Sequence, residues 1–450
     1  MRSHGLRIFA IAVRRLSAAC RYLLAVGAVS LLALPAAAQP APQSLEAVAA
    51  SRKVFAEAAA ARQRDDVDEY VRLLREVVRL RPDQPGAQFR LAGALARKGE
   101  VDEALRLLKR VAAQGLFFRL EGDPDFASIR EAAGWTAAVE AFAANLQPKV
   151  VSEVAFRLTE RDLLPEGLAH DAKTNTFYIA SVHQRKIIAR RADGTEAVFG
   201  KGRDDGLWSV LALRVDAERR HLWATTAAIE QTKDLDAADR GRTALIQFDL
   251  DTGKVLKRFE PPREAGKARV FGDLVVSSSG RVIVSEAEQG GLWRMSGGAL
   301  EAFIPPGKFA SPQGMAFPNQ GNWLYVADYS LGLMRVDIAT RKVERVKTPG
   351  EYSLLGMDGL VRFGNDLIAT QNGIRPHRVV RIRLDEAGQV GGVDVLESSH
   401  PEHAEPTLGV MVGDHFHYIA NAQWDRFPKG QPAADLVAPV ILKLPVAGRR

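Results

Sequence analysis

Acidic and amide residues recur along the C-terminal part of the chain, each beside the start of a short apolar run. Glu166, Asp273, Gln313 and Asp358 occupy this position, and Glu405 precedes the last such run. Their hard oxygen atoms suit calcium, magnesium or manganese better than zinc. Carboxyl groups that converge also raise one another's pKa, which prepares them for proton transfer. The alternative is that these residues are solvated turn residues that line a wet channel.

A repeated unit supplies the elements that would bring these residues together. Each copy has a short apolar strand, a turn, a second strand that ends in a small or polar residue, and a third apolar strand. The second strands of the six copies are residues 177–181, 221–225, 282–286, 324–328, 367–370 and 417–421. Repeats with a period of about 40–50 residues are typical of propeller blades. The chain is therefore predicted to be mainly β, with a six-bladed β-propeller over residues 150–450.

The propeller has an expected closure and a shared axis. The sixth copy lacks an outermost strand, and residues 154–158 precede the first copy and can supply it. Such pairing of the two ends removes open sheet edges. Because each blade places its first strand next to the axis, we expect polar side chains on these strands to face one funnel.

Residues 45–147 have a different pattern. Alanine is abundant, and apolar residues recur at three- and four-residue spacing, which predicts helices. A helix pair at 87–98 and 101–113, broken at Gly99, resembles a tetratricopeptide repeat. Only one good repeat is visible, and a stable solenoid normally needs three or more. We therefore expect a small helical module that leans on the propeller or on a partner.

Residues 1–38 have the three parts of a secretory signal: a basic start, the apolar run 23–34 and the small residues Ala36-Ala37-Ala38. The prediction is a periplasmic or secreted protein with a flexible lead at 39–44. The apolar run is too short for a stable membrane span, so we expect none after cleavage. Cys20 is the only cysteine, so the mature chain would have neither disulfides nor thiolate metal ligands.

The charge balance and the missing motifs exclude several classes of protein. The formal net charge is +7, but residues 1–38 contain five arginines and no acid, so the remainder carries 7 − 5 = +2. This balance does not indicate a nucleic-acid partner. The sequence has no Gly-x-Ser-x-Gly elbow, no phosphate-binding glycine loop and no dinucleotide fingerprint.

The motifs Pro165-Glu166-Gly167 and Leu324-Tyr325-Val326-Ala327-Asp328 resemble the senescence marker protein/gluconolactonase family and the related NHL-type propellers. The resemblance covers about two-thirds of the chain. It implies one divalent cation at the mouth of the central channel and the hydrolysis of lactones or related esters.

The resemblance also implies which residues do this work. Glu166, Gln313 and Asp358 stand at the metal-ligand positions, although Gln313 replaces an asparagine and has a stem one carbon longer. Asp358 and Asp273 are the candidate catalytic residues, with Asp273 as a base or a supporting ligand.

Four further polar residues are candidates for substrate contact. Asn372 and Asn421 end second strands, where turn chemistry is the alternative role. His403 and Glu405 lie in the loop before the sixth inner strand, which is close to the predicted channel mouth. Trp424 is a candidate aromatic wall, with core packing as the alternative.

Two functions remain open. The first is a metal-dependent hydrolase of a lactone or ester. The second is a non-enzymatic periplasmic binding or scaffold protein, because both helical repeats and propellers commonly serve as binding platforms. In either case we expect a small-molecule ligand at the channel mouth, and the helical module is a candidate site for a protein partner.

Overall fold

The computed structural model of the protein describes residues 43–318 and 322–446. The predicted secretory signal and its cleavage site lie outside the described residues. No helix in the described part of the chain is both long enough and apolar enough to cross a membrane.

The N-terminal module consists of helices whose ends follow the local sequence. The side chains of Ser44 and Asp66 accept hydrogen bonds from the first turns of α1 and α2, and Gly99 ends α3 in the left-handed conformation with φ 87°. The predicted helix pair around Gly99 is present as α3 and α4. The helices are α1 (Leu45–Gln63), α2 (Val67–Leu80), α3 (Pro85–Lys98), α4 (Val101–Ala112) and α5 (Trp135–Ala144), with a 3₁₀ helix at Pro124–Ile129.

An aromatic cluster closes this module. Phe89 of α3 stacks on Phe118 at 4.6 Å and tilts against Phe126 of the 3₁₀ helix at 5.3 Å between ring centroids. A Cβ on Gly93 would lie 3.0 Å from the Cβ of Asp125, so glycine lets the 3₁₀ helix rest on α3. The segment after α4 therefore acts as a cap on the helices.

The strands that follow the helical module form six four-stranded antiparallel sheets, which confirms the predicted six-bladed β-propeller. Each blade runs from an inner strand at the axis to an outer strand at the rim. Blade 1 is β2–β5, blade 2 is β6–β9, blade 3 is β10–β13, blade 4 is β14–β17, blade 5 is β18–β21, and blade 6 is β22, β23, β24 and β1. The strands are β1 (Glu153–Arg157), β2 (Pro165–Asp171), β3 (Thr176–Ser181), β4 (Lys186–Arg190), β5 (Glu196–Gly200), β6 (Ser209–Asp216), β7 (His221–Ala227), β8 (Thr243–Asp249), β9 (Val255–Phe259), β10 (Phe271–Val276), β11 (Val282–Glu286), β12 (Gly291–Ser296), β13 (Ala299–Ile304), β14 (Pro312–Ala316), β15 (Trp323–Asp328), β16 (Gly332–Asp337), β17 (Val343–Arg345), β18 (Met357–Phe363), β19 (Asp366–Gln371), β20 (Arg378–Leu384), β21 (Val390–Ser398), β22 (Gly409–Val412), β23 (His415–Ile419) and β24 (Val440–Pro445).

Blade 6 combines both ends of the propeller sequence. Strand β1 pairs antiparallel with β24, with Glu153 opposite Lys443 and Arg157 opposite Val440. The predicted closure by the strand before the first repeat is confirmed. This pairing gives β24 a neighbour on its rim side, so the ring is held shut by main-chain hydrogen bonds.

The helical module rests on the propeller, as its small size leads one to expect. The buried Arg81 donates a 2.6 Å hydrogen bond to the carbonyl oxygen of Ser330, which follows β15. The backbone N–H of Phe117 donates at 2.7 Å to the carbonyl oxygen of Arg375, in the loop after β19. Val48 of α1 packs in the apolar cluster of blades 3 and 4. The module is thereby attached to loops of blades 4 and 5.

Candidate metal and catalytic site at the channel mouth

A β-bulge interrupts five of the six inner strands at the same place. Antiparallel bulges leave residues outside the ladder and change the direction of their side chains, and they are frequent next to active sites. The bulges place Glu166, Gln313 and Asp358 at the same position, each directly before a glycine, whereas Asp273 stands one residue later in its bulge, directly after Gly272. The register shifts fall between Pro165 and Leu168, Val210 and Leu213, Phe271 and Leu274, Pro312 and Met315, and Met357 and Leu360.

The glycine that follows three of these residues lets neighbouring inner strands approach closely. A Cβ on Gly314 would lie 2.4 Å from the backbone nitrogen of Leu360 and 2.6 Å from the carbonyl oxygen of Asp358. A Cβ on Gly167 would lie 2.8 Å from the carbonyl oxygen of Leu211. No side chain fits at these distances, so the Glu-Gly, Gln-Gly and Asp-Gly pairs have a packing reason as well as a chemical one.

Hydroxyl groups near the ends of the second strands tie adjacent blades together. Thr370 accepts from the N–H of Gly359 and donates to the carbonyl oxygen of Thr407, both at 2.8 Å. Thr225 makes the same kind of contact between blades 2 and 3, donating at 2.8 Å to Gly272. The small polar residues that mark the second strands in the sequence thus fix the bulges against the next blade.

Blade 6 links the bulges that carry Glu166 and Asp358. A Cβ on Gly359 would lie 3.0 Å from the carbonyl oxygen of Thr407, and the hydroxyl of Thr407 donates at 3.2 Å to the carbonyl oxygen of Glu166. Both acidic side chains are buried. Burial and then the negative charge of Asp358 raise the pKa of Glu166 well above its ordinary value.

Each carboxylate of this pair has one neutral side-chain donor. The indole N–H of Trp424 donates to Glu166 at 2.8 Å, and the Nδ2 of Asn372 donates to Asp358 at 2.6 Å. Burial raises the pKa of Asp358 to about 7 even though the Asn372 hydrogen bond lowers it, and the charges of Asp273 and Glu405 raise it further. Both acids are therefore costly as bare carboxylates, and protonation or a bound cation would relieve this cost.

Glu405 and Tyr329 complete the acidic group. Glu405 sits at φ 65° in the loop before β22, and burial followed by the charge of Asp425 raises its pKa to about 7. Burial and then the charges of Asp358, Glu405 and Glu166 raise the pKa of the Tyr329 phenol. Sequence reasoning missed Tyr329. Its signal is positional, because Tyr329 follows β15 as Asn372 follows β19.

Asp273 and Gln313 differ in how many of their side-chain atoms form hydrogen bonds within the protein. Asp273 is buried, its Oδ2 accepts from Arg214 at 2.9 Å, and its Oδ1 accepts from the N–H of Leu274 at 2.7 Å. Burial raises the pKa of Asp273 although Arg214 opposes the shift. Gln313 donates through Nε2 to the hydroxyl of Ser311 at 3.1 Å. This bond orients the amide and leaves its oxygen for a ligand.

The side chains of Asn421 and His403 form hydrogen bonds within the protein. Asn421 donates to the carbonyl oxygen of Ala438 at 3.0 Å and accepts from the N–H of Val440 at 2.6 Å. The His403 side chain is 2% exposed, its Nε2 lies 2.8 Å from the Tyr418 hydroxyl, and burial lowers its pKa to about 4. Substrate contact stays a prediction for both residues, and these bonds favour a role in holding the loop that carries Glu405.

The oxygen atoms at the channel mouth suit a hard cation that is held by only a few carboxylates. Within residues 43–318 and 322–446, no three His, Cys, Asp or Glu side chains are arranged to hold a metal ion. A cation would therefore rest on the carboxylates of Glu166 and Asp358 together with amide oxygens. The Oδ1 of Asn372 is buried and has no hydrogen-bond partner among the described residues, which is the state expected of an unused ligand atom.

Fold and site together define a six-bladed β-propeller with an acidic group at one end of its channel and a tetratricopeptide-like helical module before it. The family model described as tetratricopeptide repeat matches residues 55–117. The comparison with curated protein sequences found no match.

Three solved structures illustrate the likeness of the propeller. A gluconolactonase from Xanthomonas campestris is 17% identical, with 66% of this chain and 96% of that chain covered and a TM-score of 0.44. The calcium-binding protein regucalcin from Agrobacterium tumefaciens is 17% identical, with 66% and 96% covered and a TM-score of 0.46. Virginiamycin B lyase from Staphylococcus aureus is 15% identical, with 66% and 100% covered and a TM-score of 0.42.

Proposed function

We propose that this protein hydrolyses a lactone or a related ester at a divalent-metal site in the mouth of its propeller channel. The buried pair Glu166 and Asp358 is the observation that carries the proposal. No Lys, Arg or His forms an ion pair with either carboxylate in the described part of the chain. Two buried acids that lack a basic partner among the described residues are costly unless they are protonated or neutralise a cation.

Glu166 and Asp358 would hold the cation, helped by an amide oxygen of Asn372 or Gln313. A bound divalent cation polarises a carbonyl group and lowers the pKa of water. The neighbouring side chains orient the ligands, since Trp424 donates to Glu166 at 2.8 Å and Asn372 donates to Asp358 at 2.6 Å. Because the Asn372 amide donates through nitrogen, its oxygen stays available on the other side.

Glu405 is better suited to proton transfer than Asp273. Both oxygens of Asp273 accept hydrogen bonds from Arg214 and Leu274, so its role is to orient and to add negative charge. Glu405 has a pKa of about 7 because of burial, so it exchanges protons near neutral pH. Its carboxylate would take a proton from the attacking water and return it to the alcohol as the ester C–O bond breaks.

The site of action belongs to the same proposal. The secretory pattern of residues 1–38 supports a periplasmic or secreted protein, where small esters and lactones from outside the cell are accessible. The helical module would then act as a fixed support for the channel mouth or as a contact for a protein partner.

Elemental analysis and an ester panel test the proposal directly. The purified protein should contain about one divalent metal ion and should hydrolyse at least one lactone or aryl ester in a chelator-sensitive way. Glu166→Gln and Asp358→Asn should each lose the metal and lower kcat/KM by about 100-fold or more. Glu301→Gln, on the exposed outer strand of blade 3, is the matched control and should behave as the parent.

Two results would oppose the hydrolase. Full turnover in either site variant after loss of the metal would show that the pair is not the centre of the reaction. A folded protein with neither metal nor turnover would instead favour the non-enzymatic binding or scaffold protein.

A further inference from the structure

A cavity lies away from the channel mouth, between the helical module and the propeller. Its volume is about 350 Å³, within the size range of small-molecule sites of roughly 300–1,000 Å³. Segment 345–355, which links blades 4 and 5, forms one wall, and residues of the helical module form the other. Glu166, Asp358 and Glu405 do not line this cleft, so it is separate from the site proposed above.

The charge of the cleft is positive. Arg110, Arg345 and Lys347 line it, and Asp83 is the one acidic residue among its described lining residues. Asp83 is already engaged, since it accepts from Arg81 at 3.1 Å and from Arg345 at 2.9 Å. The exposed side chains of Arg110 and Lys347 form no ion pair with any described residue. Two cationic groups are therefore available to a ligand at the rim.

Two buried polar atoms of the lining residues also have no partner in the described part of the chain. Ser353 is 3% exposed and its hydroxyl makes no hydrogen bond with the described residues, and the same holds for the buried Nη1 of Arg345. Buried polar atoms are normally hydrogen-bonded, so atoms of this kind at a cleft indicate a missing partner. Both atoms can donate, which is what an oxygen-rich anion requires.

The walls of the cleft are fixed to each other before any ligand arrives. The carbonyl oxygen of Ser353 accepts from Gln371 and from Arg378, each at 3.1 Å. Arg378 also donates at 3.2 Å to the carbonyl oxygen of Gln114, on the helical side of the cleft. A cavity that is held in shape in this way loses little entropy on binding.

We propose that this cleft binds a small molecule that carries carboxylate or phosphate groups. Arg110 and Lys347 attract the anion at the rim, and Arg345 and Ser353 donate to its oxygens further in. The ligand binds to both structural parts of the protein at once. The proposal does not depend on the hydrolase, because it uses none of the residues at the channel mouth.

Calorimetric titration of the purified protein with succinate and with inorganic phosphate tests this proposal. At least one anion should bind saturably with one site per chain, and the neutral succinamide should not bind. Arg110→Ala and Lys347→Ala should each weaken binding about fivefold, as expected for the loss of one exposed charge. Comparing the two anions distinguishes a carboxylate ligand from a phosphate ligand.

Two controls separate the cleft from other anion sites. Lys109→Ala removes an exposed charge from the same turn of α4 outside the cleft and should leave the affinity unchanged within twofold. Glu166→Gln should also retain binding, which excludes a metal at the channel mouth as the anion site. Absence of saturable binding by both anions, or equal losses in the Lys109 and Arg110 variants, would overturn the proposal.

Discussion

Glu166, Gln313 and Asp358 each depend on the glycine that follows them. A carboxylate or amide in a β-bulge reaches the axis only if the next blade can come close behind it, and Gly167, Gly314 and Gly359 leave that room. The positions of the Glu166 and Asp358 side chains therefore depend on the close approach of neighbouring inner strands. A change at the glycine should disturb the site without removing a single polar atom.

Gly314→Ala tests this dependence. The added Cβ would lie 2.4 Å from the backbone nitrogen of Leu360, so the inner strand of blade 5 must move together with Asp358. Overpacking of this kind costs about 1–3 kcal/mol of unfolding free energy, and we expect a matching loss of metal affinity and turnover. Chemical denaturation and metal titration measure both effects.

Gly350→Ala is the control, because a Cβ there has no described heavy atom within 4 Å. It should leave the denaturation midpoint unchanged. A Gly314→Ala variant as stable as this control would mean that the blades can separate more easily than the close contacts indicate.

Blade 6 shows how one element decides whether the ring stays closed. Strand β1 comes from the start of the propeller sequence and β24 from its end, so their pairing holds every blade between them. The buried Leu158, just after β1, packs with Ile179 of blade 1 and Ile441 of blade 6. The seam between the first and last blades is therefore apolar as well as hydrogen-bonded.

Leu158→Ala should loosen this seam. The cavity left by a buried leucine costs about 2–5 kcal/mol, so the melting temperature should fall by several degrees. Val198→Ala truncates an exposed residue on the outer strand of blade 1, where 50% of Val198 is accessible, and it should have little effect. Differential scanning calorimetry compares the two, and equal melting temperatures would argue against the seam as a determinant of stability.

At the scale of the whole molecule, the helical module and the propeller support each other. Arg81, directly after α2, is buried against the propeller. Its side chain donates to the carbonyl oxygen of Ser330 and forms an ion pair with Asp83. Ser330 follows Tyr329, whose phenol lies among the acids of the channel mouth. The position of the helices is thus connected to the shape of the site by one bonded segment.

Arg81→Met should weaken this connection. The substitution leaves the carbonyl oxygen of Ser330 without its donor and costs about 1–3 kcal/mol. We expect earlier proteolytic release of the helical module and a lower melting temperature, both measured on the intact protein. The exposed Arg79→Met, which breaks only a surface pair with Glu76, should change neither. Identical proteolysis of the two variants would contradict the anchoring role of Arg81.

Several features were determined by the sequence alone. The six repeats predict six blades because a strand pattern of that period can bury its apolar faces only against neighbouring copies. The positions of Glu166, Gln313 and Asp358 follow from the same repeats, since equivalent places in each blade meet at the axis. The break at Gly99 follows from local backbone preference.

Other features were decided only by tertiary structure, because they join residues that have no local relation. The indole of Trp424 donates to Glu166 across 258 positions, and Asn421 bonds the backbone of the next strand although its sequence also suits a ligand contact. The pKa of the Tyr329 phenol is raised by burial and by the charges of Asp358, Glu405 and Glu166, which only the fold brings near it. The cleft beside Ser353 exists only where the two parts of the protein touch. A sequence fixes periodicity and local geometry, whereas burial, charge proximity and cavities arise when distant segments pack.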